Sequence, residues 1–451
     1  MNDPYTMAKM FENENENKNK TYLSQSLLNE HENNLGNVQV IINSTNSDMS
    51  ISKCSAELVF PNETNEKYDF GLSINIIKSV LGMGILGISY TLKESGYLYI
   101  IVMLILSCIT GYNATNIAKF VKEFKYTEKY EEQHLTYFNI SEEIFGYKMK
   151  ILTQIIWSLE ISCCCIMIIN LSFTFLKELF DLNDSFKLLG SIIVFYYLLT
   201  FIKKYDNIKF FSFLGISSIF ALFTFLFYHL ILDFVNDDLP VRNYKALDYK
   251  TIPRSIAITL FSFGGHIVFP EIFSSTKNMK KLKKNLIITW SIFSTFVYCL
   301  IATSFILFGD SVSVDIINNL DQSYWFKKII TLLLLINIIF TFPLMFTPLN
   351  LKIISGVKTL NINEKLKIFL YRYFIRFCLI VIICIIGNYW KSYLNIMHIV
   401  GGFLENTTSI ILPAMLSLKH LKLNLFEKTC NILILEFGII LLICTFVQIF
   451  I

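Results

Sequence analysis

The run Phe261-Ser262-Phe263-Gly264-Gly265-His266-Ile267-Val268-Phe269-Pro270 sets two adjacent glycines and a proline inside an apolar stretch from about 251 to 275. An earlier stretch, 70–90, is interrupted in the same way by Gly82-Met83-Gly84, with Gly87 following. Glycine gives up helical preference and proline gives up an N–H, so both stretches are expected to break as helices. A helix broken inside a membrane frees N–H and C=O groups, which persist only where they face protein or line a cavity. The chemistry such groups offer is recognition. Freed N–H groups at the start of a half-helix, aided by its dipole, suit a carboxylate, and freed carbonyls in the other break accept from an ammonium. A zwitterionic α-amino acid fits that pair. The candidate binding residues are Gly82, Met83, Gly84 and Ile85 in the first break and Ser262, Phe263, Gly264 and Gly265 in the second. Trp157, Phe211 and Phe263 are candidate pocket walls. Membrane glycines also serve tight helix packing. Two matched breaks favour the site, because interrupted segments in corresponding positions of two halves flank a carrier's binding site.

The elements that must position these residues follow from composition. The 451 residues are 54% hydrophobic and 16% charged, with mean hydropathy +0.52. Soluble domains carry about a quarter charged residues. The apolar excess lies in runs of roughly 20 residues, the length of a membrane helix. They predict an all-α polytopic membrane protein with eleven transmembrane helices, at about 70–92, 97–119, 149–176, 186–202, 208–233, 252–275, 285–308, 328–351, 366–388, 393–418 and 429–451. Four intact spans separate the two broken ones and four more follow the second. The arrangement predicts a 5+5 inverted repeat, with repeat one about 70–233, repeat two about 252–418 and an extra helix about 429–451.

Charge gives orientation. The stretches 119–150, 203–209, 277–284, 352–376 and 419–428 carry 23 Lys and Arg, and the alternating set 93–96, 177–187, 234–254, 309–328 and 389–392 carries 10. Positive loops stay inside, which puts the amino terminus in the cytoplasm and the carboxyl terminus outside or in a lumen. Residues 1–66, rich in Asn, Glu and Lys, are expected to form a disordered cytoplasmic tail, with residues 67–451 as the transporter domain. That tail has no apolar core of a cleaved signal peptide, so the first membrane helix is expected to serve as the targeting signal. No nucleic-acid partner, metal site or disulfide framework is indicated, since most of the ten cysteines lie inside apolar runs without paired spacing.

Ionisable residues inside such runs are costly and so are functional candidates. His266 can titrate near neutral pH beside the break, or it can hold the kink through a backbone hydrogen bond. Glu160 can relay protons or pair with another helix, and Glu405, after Gly401-Gly402, carries the same two readings. Lys78 lies about a turn before the first break, or snorkels toward the interface. In the eighth run Asn337, Thr341 and Thr347 flank Pro343 and Pro348, where hydroxyls can satisfy the carbonyls that prolines free.

Lys78-Ser79-Val80-Leu81-Gly82-Met83-Gly84-Ile85-Leu86-Gly87, followed by Lys93-Glu94-Ser95-Gly96, resembles the first-helix motif of the amino acid/auxin permease family. Phe263 to Pro270 is similar to that family's Phe-x-Gly-His-x-x-x-Pro signature. Phe308-Gly309-Asp310-Ser311-Val312 with Ile316 and Asn319-Leu320, Thr341-Phe342-Pro343-Leu344 with Pro348, and Gly401-Gly402 with Ile411-Leu412-Pro413 match in order. The resemblance covers about residues 68–451. It implies a leucine-transporter-type fold and carriage of amino acids by a secondary transporter coupled to protons or sodium. It further implies that a Lys at position 78 favours protons, because a fixed ammonium repels a neighbouring cation. Thr341 is carried over as a candidate for the coupling-ion region facing the first span.

The coupling candidates are therefore Lys78, His266, Glu160 and Thr341, with a proton as the expected coupling ion and sodium as the alternative. The expected partners are an amino acid and the bilayer, with the protein a monomer in a plasma, vacuolar or lysosomal-type membrane. An amino-acid-sensing receptor that signals through its tail stands as the second class of function. No filter loop, phosphate loop or converging nucleophile and base points to a channel, an ATP-driven pump or an enzyme.

Overall fold

A computed structural model of the chain describes residues 70–80, 83–125, 135–180, 185–201, 205–236, 245–276, 279–320, 325–358, 369–390 and 392–450. The chain divides into Met1–Lys67 and Tyr68–Ile451. The first unit, and with it the tail expected over 1–66, lies outside the described residues, as do Leu81 and Gly82.

Every regular element among the described residues is helical. The first apolar run holds α1 (Phe70–Val80), a 3₁₀ turn at Met83–Leu86 and α2 (Tyr90–Ser95). Then come α3 (Tyr99–Phe124), α4 (Tyr137–Phe145), α5 (Tyr147–Phe180), α6 (Ser185–Leu199) and α7 (Tyr205–Val235). The sixth run holds α8 (Ile252–Ser262), a 3₁₀ turn at His266–Val268 and α9 (Phe269–Ser274). It is followed by α10 (Leu282–Phe308), α11 (Trp325–Lys358) and α12 (Ile375–Tyr389). The tenth run holds α13 (Tyr393–Ile399) and α14 (Leu412–His420), and α15 (Leu425–Phe450) ends the chain.

Eight of these helical stretches are long and apolar enough to cross a membrane, and shorter apolar helices at Gly71–Val80, Lys187–Leu199 and Ile375–Tyr389 lie in the predicted first, fourth and ninth runs. The protein is an all-helical, multi-pass integral membrane protein. Ile101, Ile105, Leu152, Ile155 and Leu159 face outward, each about half exposed. An apolar belt of that kind suits lipid and would be an anomaly in water. Burial sorts the helices: 78% of the Ile252–Ser274 window is inside the protein against 22% for Leu425–Ile449, so the broken sixth run sits at the centre and α15 at the rim.

Two features depart from the sequence-based expectation. The stretch 119–150, counted as a loop, contains α4. Thr136 caps it by accepting from the Asn139 N–H, and Gly146, at φ 87°, ends it. A nine-residue amphipathic helix is too short and too polar to register as a span, yet it buries Tyr137, Ile140 and Ser141 against the bundle. The tenth run, expected as a regular helix, widens into π turns at Val400–Glu405 and Thr407–Ile411. Close packing accompanies the widening. A Cβ on Gly401 would lie 1.8 Å from the Ala257 carbonyl oxygen, and one on Gly402 would lie 2.4 Å from the Thr445 side chain. Side chains from neighbouring helices meet carbonyls of the wide turns. The Asn113 amide donates to the Ser409 carbonyl at 2.7 Å and the Tyr137 hydroxyl to the Thr408 carbonyl at 2.8 Å. Wide turns of this kind gather at functional sites.

Pro253 and Pro270 each sit in the first turn of a helix, where a missing N–H costs little, whereas Pro343 and Pro348 lie inside α11 and Pro413 follows the second π turn of the tenth run. The tight crossing at Gly401 gives a direct test. Gly401→Ala is expected to lower stability by about 1–3 kcal/mol, the usual cost of overpacking, read as a lower melting temperature of the purified protein. Gly190→Ala, where an added Cβ meets nothing within 4 Å, is expected to leave the melting temperature unchanged.

Candidate functional site

The two breaks meet. Beyond α1 the chain turns through Gly87, whose N–H donates to the Gly84 carbonyl at 3.2 Å, before α2 begins. Beyond α8 the Phe263 N–H still bonds the Thr259 carbonyl at 2.9 Å, and Gly265 then turns the chain at φ 114°. Only glycine takes that backbone conformation without strain. The Ser262 hydroxyl lies 3.0 Å from the Gly84 carbonyl and 2.9 Å from the Ile258 carbonyl of its own helix, so it can donate to the first break or back to α8. A Cβ on Gly84 would stand 2.6 Å from Ser262 Cα, and a Cβ on Gly265 2.8 Å from the Ser79 carbonyl oxygen. Gly84 and Gly265 are thus needed for backbone to approach backbone.

A polar cluster backs the second break. The Gly265 N–H donates to Glu405 Oε1 at 3.2 Å, and a Cβ on Gly264 would fall 2.5 Å from the Glu405 carboxyl carbon. Glu405 reaches this position from the first π turn of the tenth run. His266 is fully buried, its Nε2 2.9 Å from the Thr110 carbonyl and its Nδ1 3.7 Å from Glu405 Oε1. A carbonyl only accepts, so Nε2 carries the proton in that bond. The ring also packs on Phe269 and Trp290 at 4.8 and 5.7 Å. Glu160 comes from α5, lies within hydrogen-bonding reach of Glu405, and accepts from the Thr408 hydroxyl at 3.0 Å. The structure therefore brings His266 and Glu160 together through Glu405.

The other predicted residues fall elsewhere. Gly82 is outside the described residues. Met83 opens the 3₁₀ turn, and Ile85 is buried. Phe263 packs its ring against Phe293, Trp290 and Tyr298 of α10, which leaves its backbone at the break. Trp157 meets Phe138 edge-on at 6.2 Å, and the side chain of Phe211 is outside the described residues. Lys78 is half-buried in the last turn of α1. Thr341 gives its hydroxyl to the Asn337 carbonyl of its own helix at 2.8 Å. Thr408, Tyr137 and Thr110 were not singled out by sequence reasoning, because hydroxyls and carbonyls carry no periodic signal. Glu405 had a signal, a carboxylate in an apolar run between Gly401-Gly402 and Pro413.

At one end of the bundle the halves of the two broken runs are tied together. Arg254 lies 3.1 Å from Glu94 and Ser95 donates to Ser255 at 2.8 Å, while Tyr99 of the adjoining α3 shares a hydrogen bond with Thr259 at 2.8 Å. Burial raises the Glu94 carboxyl above its ordinary range while Arg254 and Lys93 oppose the shift. Lys93 also donates to the Val312 carbonyl at 2.9 Å, fastening the segment that leads to Asp315. A cavity of about 300 Å³ lies there, bordered by Asn170, Lys177, Asp315, Asn388 and Tyr393 among others. Burial pushes the Asp315 carboxyl up to about 7, with the Ile317 N–H and Lys327 opposing and Glu178 adding to the rise.

Broken helices whose polar groups converge inside an apolar bundle define a membrane carrier of small solutes. The chain belongs to the transmembrane amino acid transporter protein family, whose model matches residues 70–451. It is an amino acid transmembrane transporter and not an enzyme. Similar proteins include the amino acid transporter AVT1E of Arabidopsis thaliana, 25% identical over 399 residues, covering 85% of this chain and 73% of the relative. The amino acid transporter AVT1J of the same plant is 24% identical over 359 residues, 76% of this chain and 80% of that protein. The vacuolar amino acid transporter 7 of Saccharomyces cerevisiae is 22% identical over 289 residues, 62% of this chain and 57% of that protein.

Asp315 yields a pH prediction. Its carboxyl is raised from 3.8 to about 7 in the folded protein, so between those values the folded state holds a proton that the unfolded chain has lost. Stability from this group is full below the lower value and is lost as pH rises through the upper one. The wild type is expected to melt a few degrees higher near pH 5 than near pH 8, and Asp315→Asn to shrink that difference.

Proposed function

We propose that this protein carries an α-amino acid by alternating access, with the substrate held between the two breaks and transport coupled to a proton. The observation that carries this reading is the contact of the breaks, where Ser262 reaches the Gly84 carbonyl at 3.0 Å and Gly265 lies against Ser79. The substrate carboxylate is assigned to the N–H groups of Gly82, Met83, Gly84 and Ile85. The ammonium is assigned to carbonyls and the hydroxyl along Ser262, Phe263, Gly264 and Gly265. Interrupted helices that present opposite dipole ends suit a zwitterion.

The frame for this reading is eleven spans, a 5+5 inverted repeat over about 70–233 and 252–418, and an extra helix at about 429–451. The amino terminus is cytoplasmic and the carboxyl terminus extracellular or luminal, as the 23 to 10 division of Lys and Arg between the two loop sets supports. A vacuolar-type membrane is the favoured location, since a yeast relative bears that name. Proton coupling is favoured over sodium because Lys78 places an ammonium before the first break and Glu160 and His266 converge behind the second.

Uptake of a labelled amino-acid panel into proteoliposomes tests this. A proton gradient directed along uptake is expected to drive accumulation in sodium-free medium, and a strict sodium requirement would contradict the coupling. Gly84→Val, whose side chain would strike Ser262, is expected to reduce uptake at least about tenfold; full uptake would remove the first break from the site.

A further inference from the structure

The cluster behind the second break contains a feature that neither the breaks nor His266 explains. Glu160 and Glu405 are both buried, 2% and 4% exposed, and approach each other from different helices. Among the described residues no Lys or Arg pairs with either carboxyl. The titratable groups facing them are Tyr137 from α4, Cys163 and Cys164 from α5, and His266 from the second break. The only potential cation in that set, His266, holds Nε2 on the Thr110 carbonyl, and its Nδ1, without a hydrogen-bond partner, stands 3.7 Å from Glu405 Oε1, beyond hydrogen-bond length. Two carboxylates in contact in a dry site repel strongly, and one proton between them replaces the repulsion with a hydrogen bond. The carboxyls already take part in the network: Thr408 donates to Glu160, and the Gly265 N–H donates to Glu405. A single proton between the two carboxyls turns that repulsion into a hydrogen bond.

Resting on the carrier reading above, we propose that Glu160 and Glu405 form the coupling-proton site, sharing one proton that latches α5 to the tenth run and to the second break. Binding the proton joins Glu160 to Glu405. Losing it leaves two carboxylates that repel, freeing the tenth run and the Gly265 amide it holds to move away from α5. No bond other than the O–H is made or broken. His266 is a positioning residue, holding the break to α3 through Thr110, and Thr341 and Lys78 lie outside the proton's path. The latch connects ion to substrate through one hydrogen bond, because Gly265 belongs to the break and donates to Glu405.

The test uses the full chain in proteoliposomes, following labelled amino acid and internal pH together, with Glu160→Gln, Glu405→Gln and, as a handling control, the lipid-facing Cys108→Ser. Either glutamine is expected to cut the proton flux accompanying uptake at least about tenfold and to remove the pH dependence of amino-acid exchange. Proton flux that persists in either glutamine variant, or sodium moving in place of protons, overturns the proposal. Infrared difference spectra of the same protein read the pair without transport. A protonated-carboxyl band present in the wild type and missing from both glutamine variants supports it, and the absence of that band from the wild type overturns it. A wild type that moves no amino acid sinks the carrier reading, while the infrared band still decides the latch.

Discussion

A backbone N–H or C=O inside a bilayer has no water to fall back on, so each one freed by a broken helix must be met by another part of the protein. That constraint organises the centre of this molecule. The Gly84 carbonyl in the first break accepts from the Gly87 N–H and is also within reach of Ser262 at the second, and the Gly265 amide, freed in the second, is met by Glu405 from the tenth run. Opening the tenth run into wide turns frees further carbonyls, and two of these are met by Asn113 of α3 and Tyr137 of α4. Each departure from regular helix is thus answered by a side chain whose own position is fixed by the next helix. The result is a chain of polar contacts running from the first break to α5 through the apolar interior of the bundle.

Much of this was legible in the sequence. Apolar runs of membrane length located the helices, because length and hydrophobicity are what a bilayer selects. Gly82-Met83-Gly84 and Gly264-Gly265 located the breaks, because glycine placement is dictated by backbone approach. The short helix α4 was not legible, since nine half-polar residues resemble a loop until the face bearing Tyr137 and Ile140 finds the bundle. Nor was the widening of the tenth run. Its glycines marked close packing, but the number of residues per turn depends on Ala257 and Thr445, which come from other helices. Thr341 shows the reverse case: a residue well placed by motif turns its hydroxyl to its own helix.

The two readings of His266 and the two of Glu160 depend on tertiary partners that a linear sequence does not hold. His266 satisfies the kink-holding role, with Nε2 committed to Thr110. Glu160 finds its partner in Glu405, and the partner is another acid. A helix-pairing role alone would be better filled by an acid and a base, or by two amides. An acid pair in this position costs stability unless a proton occupies it, and a site that needs a proton to be stable is suited to sensing one.

The central claim, that an amino acid binds where the two breaks meet, is tested most directly by a cryo-electron microscopy map of the full chain with an amino acid bound. The account predicts density between 83–87 and 262–266, with its carboxylate against the backbone amides of the first break and its ammonium against the carbonyls of the second. Density in the cavity beside Asp315 and Lys177, with the breaks closed on each other, would contradict it.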